Sequence, residues 1–288
     1  MYTAPRLKLL LAALLFSTGG AAIKACSLSS WGVAGLRSGI AAITLLAFLP
    51  EARRRWSAAP VLVGVAYAAT LTFFVLANKQ TTSANAIYLQ STAPLYLLLL
   101  GPWLLREPVR RRDLGFLSAL AVGLALFFVG GEPGTRTAPA PLVGNVLALG
   151  SGVAWALTLA GLRRLGGSPE ASAQALVAGN AIAFLVALPP ALPLHVTPAD
   201  AALLLWLGPF QIGLAYVLLR AGLREVPALE ASLLLLVEPV FNPLWAFLFH
   251  GERPGPWAAA GAAVILAATV AQSVERNRAT RLAATARR

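Results

Sequence analysis

The chain has 288 residues, of which 58% are hydrophobic and 12% charged, and its mean hydropathy is +0.73. Soluble domains carry about 45 to 50% apolar and about 25% charged residues, so this composition excludes an ordinary water-soluble globule and predicts an integral membrane protein. The single cysteine, Cys26, excludes a disulfide framework, and two histidines, His195 and His250, are too few for a recognisable metal site. No metal or other cofactor is expected.

Apolar runs separated by charged or turn residues recur along the whole chain. About 20 apolar residues cross a hydrocarbon core of about 30 Å. Arg6 and Lys8 ahead of the first run also fit a signal peptide, but the internal repeat described below requires that run as a helix. The expected fold class is an all-α integral membrane protein. Ten transmembrane helices are predicted at residues 7–25, 31–49, 60–78, 83–105, 114–130, 142–162, 171–188, 201–223, 228–249 and 256–273.

The basic residues are distributed unequally between the loops on the two sides. With the N terminus inside, 18 of the 23 Lys and Arg residues fall in cytoplasmic segments, whereas Lys24, Lys79, Arg136 and Arg253 fall on the other side and Arg37 lies inside a helix. The positive-inside rule then predicts a multi-pass protein of a bacterial-type inner (plasma) membrane with both termini in the cytoplasm. The net charge of +12 thus reflects topology and contact with the lipid bilayer, and nucleic acid is not expected as a partner.

The two halves of the chain match each other when one is shifted along the other. A shift of 145 residues places 92–95 on 237–240 and Glu107 on Glu252, and a shift of 139 places Phe16 on Trp155 and Lys24 on Arg163. Five helices in each half would make the second half enter the membrane from the opposite side, as in inverted-repeat transporters. The expected organisation is a first five-helix repeat at 1–131, a linker at 132–141, a second inverted repeat at 142–274 and a basic cytoplasmic tail at 275–288.

Several short segments resemble a known family. They are LVEPVF at 236–241 followed by GER at 251–253, AIK at 22–24 with Leu-Arg at 36–37, and GNVLAL at 144–149 before Trp-Ala at 155–156. In this order they resemble the EamA branch of the drug/metabolite transporter superfamily over nearly the whole chain. The first half departs from the pattern, with Arg106-Glu107 where Gly-Glu is usual. The resemblance implies a ten-helix carrier whose central cavity is lined mainly by helices 1, 3, 4, 6, 8 and 9, often an exporter of amino acids or other small metabolites.

Polar and aromatic residues recur at helical spacing on several predicted helices. Polar groups in lipid are costly and usually face a bundle interior or a wet cavity, although Ser, Thr and Asn also join neighbouring helices without touching a solute. Aromatic faces bind rings and cations, and amides orient polar ends of a solute. The predicted substrate-binding residues are Tyr67, Phe74, Asn78, Asn85, Tyr88, Thr92, Tyr96, Trp155, Gln211, Glu238, Asn242 and Trp245.

Glu238 lies mid-helix, where an ionised carboxylate is expensive unless it is paired or protonated. It is expected either to form a structural salt bridge with Lys24 or Arg37, or to take up a proton or a cationic group during transport. Pro94 and Pro239 occupy matched positions in the two halves and leave backbone carbonyls unpaired mid-helix. They are expected to act as hinges or as packing kinks.

An enzyme is not expected, because no second carboxylate, Ser/Lys pair or Cys/His pair accompanies Glu238 in the membrane. The residues favour a secondary-active or facilitative transporter that moves a small amphipathic metabolite by alternating access. Export of amino acids with an aromatic or large apolar side chain is the leading hypothesis. Choline-like cations are an alternative substrate, and a lipid scramblase or a channel is an alternative function. The substrate, the direction of flux, the coupling ion and the oligomeric state stay open.

Overall fold

A computed structural model of the chain describes residues 3–106, 113–129, 133–166 and 168–285. This part is helical and contains no strand, in agreement with the predicted all-α class. Glu107 of the repeat match and the boundary at residue 131 lie outside the described residues. The helices are Thr3–Ser17 (α1), Gly19–Ala25 (α2), Ser30–Phe48 (α3), Ala58–Gln80 (α4), Ser83–Gln90 (α5), Ala93–Leu104 (α6), Asp113–Val129 (α7), Pro141–Arg164 (α8), Pro169–Ala191 (α9), Pro198–Trp206 (α10), Ala215–Leu223 (α11), Ala228–Leu235 (α12), Val237–His250 (α13) and Pro256–Thr285 (α14).

Eight helical segments of the described chain are long and apolar enough to cross a membrane. The predicted first span consists of α1 and α2, and α7 is a shorter apolar helix. The predicted fourth span is divided into α5 and α6, and the ninth into α12 and α13. The count of ten spans therefore stays a prediction. Over its described part, the segment predicted as a basic tail continues α14 up to Thr285.

Local sequence accounts for several helix starts. The side chains of Ser29, Thr82 and Ser168 each accept a hydrogen bond from a backbone N–H in the first turn of α3, α5 and α9, and Thr197 forms a capping box with Asp200 at α10. These contacts satisfy N–H groups that have no partner within the helix. The starts of these four helices therefore follow from local sequence.

The centre of the bundle is formed by α4, which packs against α8 and α9, and by α3, which packs against α9. Close approach of α4 and α9 depends on Gly64 and Gly179. A Cβ atom at Gly64 would lie 2.7 Å from Ala178 Cβ, and one at Gly179 would lie 2.6 Å from Tyr67 Cδ1. Small residues at this crossing thus hold Tyr67 in place, with 1% of its surface exposed.

Candidate functional site

A cavity of about 300 Å³ lies at the middle of the helix bundle. It contains five predicted substrate-binding residues, Tyr67, Phe74, Trp155, Gln211 and Glu238. Arg37, predicted only as a charge-pairing residue, also lines the cavity. It belongs to the second predicted span, which is not among the lining helices that the resemblance implies. The remaining lining residues are Phe16, Thr70, Leu71, Gln90, Ile212, Tyr216, Leu219 and Leu235.

Four aromatic rings form one connected wall of the cavity. The Tyr67 ring lies 6.2 Å from the Trp155 ring, at an interplanar angle of 45°, and 5.8 Å from the Tyr216 ring, edge to face at 86°. The Phe16 ring meets Tyr216 edge to face, with centroids 5.0 Å apart. Aromatic pairs prefer such tilted and edge-to-face arrangements, which present ring faces and edges to a bound solute. The wall joins α1, α4, α8 and α11.

The polar groups of the cavity are few and come from different helices. Glu238, on α13, is half-buried, and Arg37, on α3, is buried. Both line the cavity, but they form no ion pair with each other in the described structure. The amide nitrogen of Gln211 donates to the Phe16 carbonyl at 3.4 Å, and the amide oxygen of Gln211 has no hydrogen-bond partner among the described residues. The cavity therefore combines one cationic group, one carboxylate and one unpaired amide oxygen with aromatic surface.

The expected pairing of Lys24 with Glu238 is wrong. Lys24 Nζ lies 2.7 Å from the carboxylate of Glu252 and also donates to the carbonyls of Thr81 and Thr137. The physical reason is distance along the helices: at about 1.5 Å per residue, Glu238 and Glu252 are separated by about 20 Å. Lys24 is thus part of a polar network at one end of the bundle, away from the cavity.

This polar network closes one end of the bundle. The other carboxylate oxygen of Glu252 accepts from the Ser83 backbone N–H at 2.9 Å. Nearby, Asp200 accepts from the Ser27 and Thr197 hydroxyls, both at 2.6 Å. Burial raises the pKa of the Cys26 thiol to about 11, and its hydrogen bond to Asp200 adds to this effect. At neutral pH Cys26 is therefore a protonated thiol and not a nucleophile.

The two helices that carry Pro94 and Pro239 are interrupted where these prolines predict. A proline lacks the N–H that would bond to the carbonyl four residues earlier. Those carbonyls belong to Gln90 and Leu235, which are the last residues of α5 and α12. Both residues line the cavity. The interruptions therefore lie at the cavity in both halves of the chain.

Tyr216 was missed by the sequence analysis because the helix around it is irregular. Residues Leu207–Leu214 form a π-helix between α10 and α11. Such a segment has i→i+5 hydrogen bonds and more residues per turn than an α-helix. Gln211 and Tyr216, which lie 140° apart on a regular α-helix, consequently both reach the cavity. The sequence shows a tyrosine at position 216 but does not show which face of the helix it occupies.

The predicted stripe on the fourth span does not line this cavity. Asn85 donates to Asn145 Oδ1 at 3.2 Å, Tyr88 lies 6.4 Å from the Phe127 ring, and Thr92 donates to the Leu89 carbonyl at 2.6 Å. Tyr96 packs against Gly152 of α8. On α5 the face that carries Gln90 meets the cavity instead of the face of Asn85 and Tyr88, and the break before Pro94 separates these two residues from Tyr96 on α6.

Three further predicted residues also lie outside the cavity lining. Asn78 is buried and donates to the carbonyl of Phe74 at 3.0 Å. Asn242 is buried where α13 crosses α2, and Trp245 Nε1 donates to the Ser17 hydroxyl at 3.0 Å. Glu238, Asn242 and Trp245 share one face of α13, but only Glu238 lines the cavity; Asn242 and Trp245 pack against the first predicted span farther along the helix.

A sequence profile of the EamA-like transporter family matches this chain twice, at residues 6–129 and 142–273. The chain belongs to the EamA-like transporter family. It is accordingly a multi-pass membrane transporter, and the resemblance found in the sequence is confirmed.

Curated relatives of this family member include exporters. The threonine/homoserine exporter RhtA of Escherichia coli K12 is 26% identical over 257 residues, which cover 84% of this chain and 81% of RhtA. An uncharacterised transporter of Methanothermobacter thermautotrophicus is 22% identical over 186 residues, or 62% of this chain and 53% of the relative. A solved crystal structure matches 96% of this chain and 98% of its own with a TM-score of 0.63 at 19% identity, and at that identity it shows a shared fold alone.

Proposed function

We propose that this EamA-like transporter exports amino acids with an aromatic or large apolar side chain. The observation that carries the proposal is the aromatic wall formed by Phe16, Tyr67, Trp155 and Tyr216 on a cavity of about 300 Å³. Small-molecule sites are concave, mostly apolar and supplied with a few polar groups, and cavities of about 300 to 1,000 Å³ are usual. A solute with one ring and one polar end matches this lining.

The proposed mechanism is alternating access between two inverted halves. The two separate matches of the family profile support two halves, and the interruptions before Pro94 and Pro239 support hinges at related positions. In inverted-repeat carriers one half moves against the other around a site near the membrane centre. The proposed location is a bacterial-type inner membrane with both termini cytoplasmic, which the distribution of Lys and Arg between the loops supports.

A choline-like cation is the second candidate solute, and Glu238 favours it. Its carboxylate faces a cavity rich in aromatic rings, and a cation is attracted to such rings. A lipid scramblase or a channel would need a continuous path across the membrane, whereas the buried Lys24–Glu252 pair packs one end of this bundle. The RhtA relationship supports amino acids over either alternative, although threonine and homoserine are smaller and more polar than the solute proposed here.

Ligand-dependent thermal stability of the purified protein tests the proposed solute. A ligand that binds only the folded state stabilises it by about 2.7 kcal/mol at 100 times its Kd. We expect L-phenylalanine to raise the Tm by several degrees, L-threonine and L-homoserine to raise it less, and choline to leave it unchanged. A larger shift with threonine than with phenylalanine would contradict the proposed side-chain preference. A shift with choline alone would favour the cation alternative.

A further inference from the structure

Arg37 is a buried cation with no carboxylate partner among the described residues. It is 1% exposed and belongs to the largest fully buried side chains of the described structure. Its Nε atom has no hydrogen-bond partner, and no carboxylate of the described residues lies within 4 Å of the guanidinium. The side chain lines the central cavity. The adjacent residue, Ser38, is also buried and polar, but it does not line the cavity.

No acidic side chain in the described part of the chain neutralises this charge. Buried charges are normally paired, because removing an ion from water is costly unless an opposite charge and hydrogen bonds replace the solvent. Tyr67 and Tyr216 line the same cavity, but a phenol offers no negative charge at neutral pH. Glu238 lines the same cavity but forms no ion pair with the guanidinium. The positive charge of Arg37 is therefore left for a group that enters the cavity.

The geometry of a guanidinium selects the class of that group. Its planar array of N–H donors matches the two oxygens of a carboxylate, and such bidentate pairs are among the stronger hydrogen-bonded contacts in proteins. We propose that Arg37 binds the carboxylate of the transported solute and so restricts transport to carboxylate-bearing molecules. This inference rests on the proposed function, because it assigns the recognition of the α-carboxylate to one residue of the same cavity.

The other groups of the cavity complete the recognition of an amino acid. Gln211 is 6% exposed, and its unpaired amide oxygen and the Glu238 carboxylate are acceptors available to an ammonium group. The rings of Tyr67 and Trp155 are available to the side chain. A choline-like cation could use Glu238 and the rings but would leave Arg37 unpaired. Arg37 is thus the residue that separates amino acids from simple cations.

The test combines a change in the protein with a matched change in the ligand. L-phenylalaninamide keeps the ring and the ammonium group of L-phenylalanine but lacks the carboxylate. By calorimetric titration of purified protein, we expect the wild type to bind phenylalanine at least tenfold more tightly than the amide. Arg37→Gln should bind the two ligands within about twofold of each other, and Arg37→Lys should keep part of the preference because it keeps the charge but not the planar donor array. The control Ser38→Ala should keep the wild-type preference.

The Tm of the ligand-free protein provides a second readout. If Arg37 had a structural role, its replacement would lower this Tm. We expect Arg37→Gln to unfold at the wild-type temperature or above it, because the variant removes an unpaired buried charge. A clear drop in Tm, together with an unchanged preference for phenylalanine in the folded variant, would overturn the assignment. Equal binding of phenylalanine and its amide by the wild type would overturn it as well, whatever the behaviour of the variants.

A third ligand separates this inference from the proposed function. 3-Phenylpropionate has the ring and the carboxylate but no ammonium group. If the wild type bound 3-phenylpropionate but not phenylalanine, and Arg37→Gln bound neither, the carboxylate role of Arg37 would stand while amino-acid export would be wrong. If the wild type bound phenylalanine and its amide equally, amino-acid export would stand while the role of Arg37 would be wrong. Binding of none of the three ligands would overturn both.

Discussion

Replacement of Lys24 by methionine is expected to lower the free energy of unfolding by about 3 to 5 kcal/mol, because it leaves the buried Glu252 carboxylate without its partner. The two side chains are 2% and 4% exposed, with N and O atoms 2.7 Å apart. The ammonium group also donates to the Thr81 and Thr137 carbonyls, so the variant leaves two further acceptors unpaired. Thermal unfolding of purified protein measures the effect.

The double variant Lys24→Met/Glu252→Gln distinguishes loss of a counter-ion from loss of packing. It removes both charges, and the glutamine oxygen can still accept from the Ser83 backbone N–H. We expect it to be clearly more stable than Lys24→Met alone, since replacing a whole buried pair is often close to neutral. The exposed residue Arg136 lies in the loop before α8, and Arg136→Met is the charge control, with no expected effect. A Lys24→Met variant as stable as wild type would show that this pair does not hold the end of the bundle.

Replacement of Trp155 by alanine is expected to weaken binding of L-phenylalanine by about tenfold to hundredfold, which corresponds to about 1.4 to 2.8 kcal/mol. Loss of a ring contact and its buried apolar area is of this size. Trp155 lines the cavity, and its ring lies 6.2 Å from the Tyr67 ring. The measurement is calorimetric titration of variant protein that elutes as the wild type does on gel filtration.

Two further tryptophan variants control this result. Trp155→Phe keeps a ring at the same place and should lose less affinity than Trp155→Ala. Trp257, on α14, is 50% exposed and does not line the cavity, so Trp257→Ala should bind phenylalanine as the wild type does. Equal binding by Trp155→Ala and Trp257→Ala would mean that the aromatic wall does not contact the solute.

The helical class and part of the cavity could be predicted because they depend on short-range sequence signals. Apolar run length predicts spans, and spacings of three and four residues predicted the Tyr67–Phe74 face of α4. Proline positions also indicated the interruptions, because a missing N–H acts on the carbonyl four residues earlier in any helix. Short segments in a fixed order indicated the family, and the two matches of the family profile confirm it.

The remaining site residues could not be predicted, because their placement depends on irregular helices and on relative helix position. The π-helix at Leu207–Leu214 changes the face on which Tyr216 lies. Gln90 and Tyr88 lie about 200° apart on α5, and which of the two reaches the cavity depends on how α5 packs against its neighbours. The choice of Glu252 over Glu238 as the partner of Lys24 depends on how far α2 and α13 overlap along the bundle, which no single helix encodes.

Counterflow in proteoliposomes tests most directly whether this cavity belongs to an amino-acid carrier. Vesicles loaded with unlabelled L-phenylalanine receive labelled L-phenylalanine outside, and a carrier exchanges the two. We expect the wild type to accumulate label transiently above its equilibrium level, and Trp155→Ala and Arg37→Gln to lose most of this overshoot. Label that equilibrates without overshoot, at a rate independent of internal phenylalanine, would indicate a channel and contradict alternating access around this site.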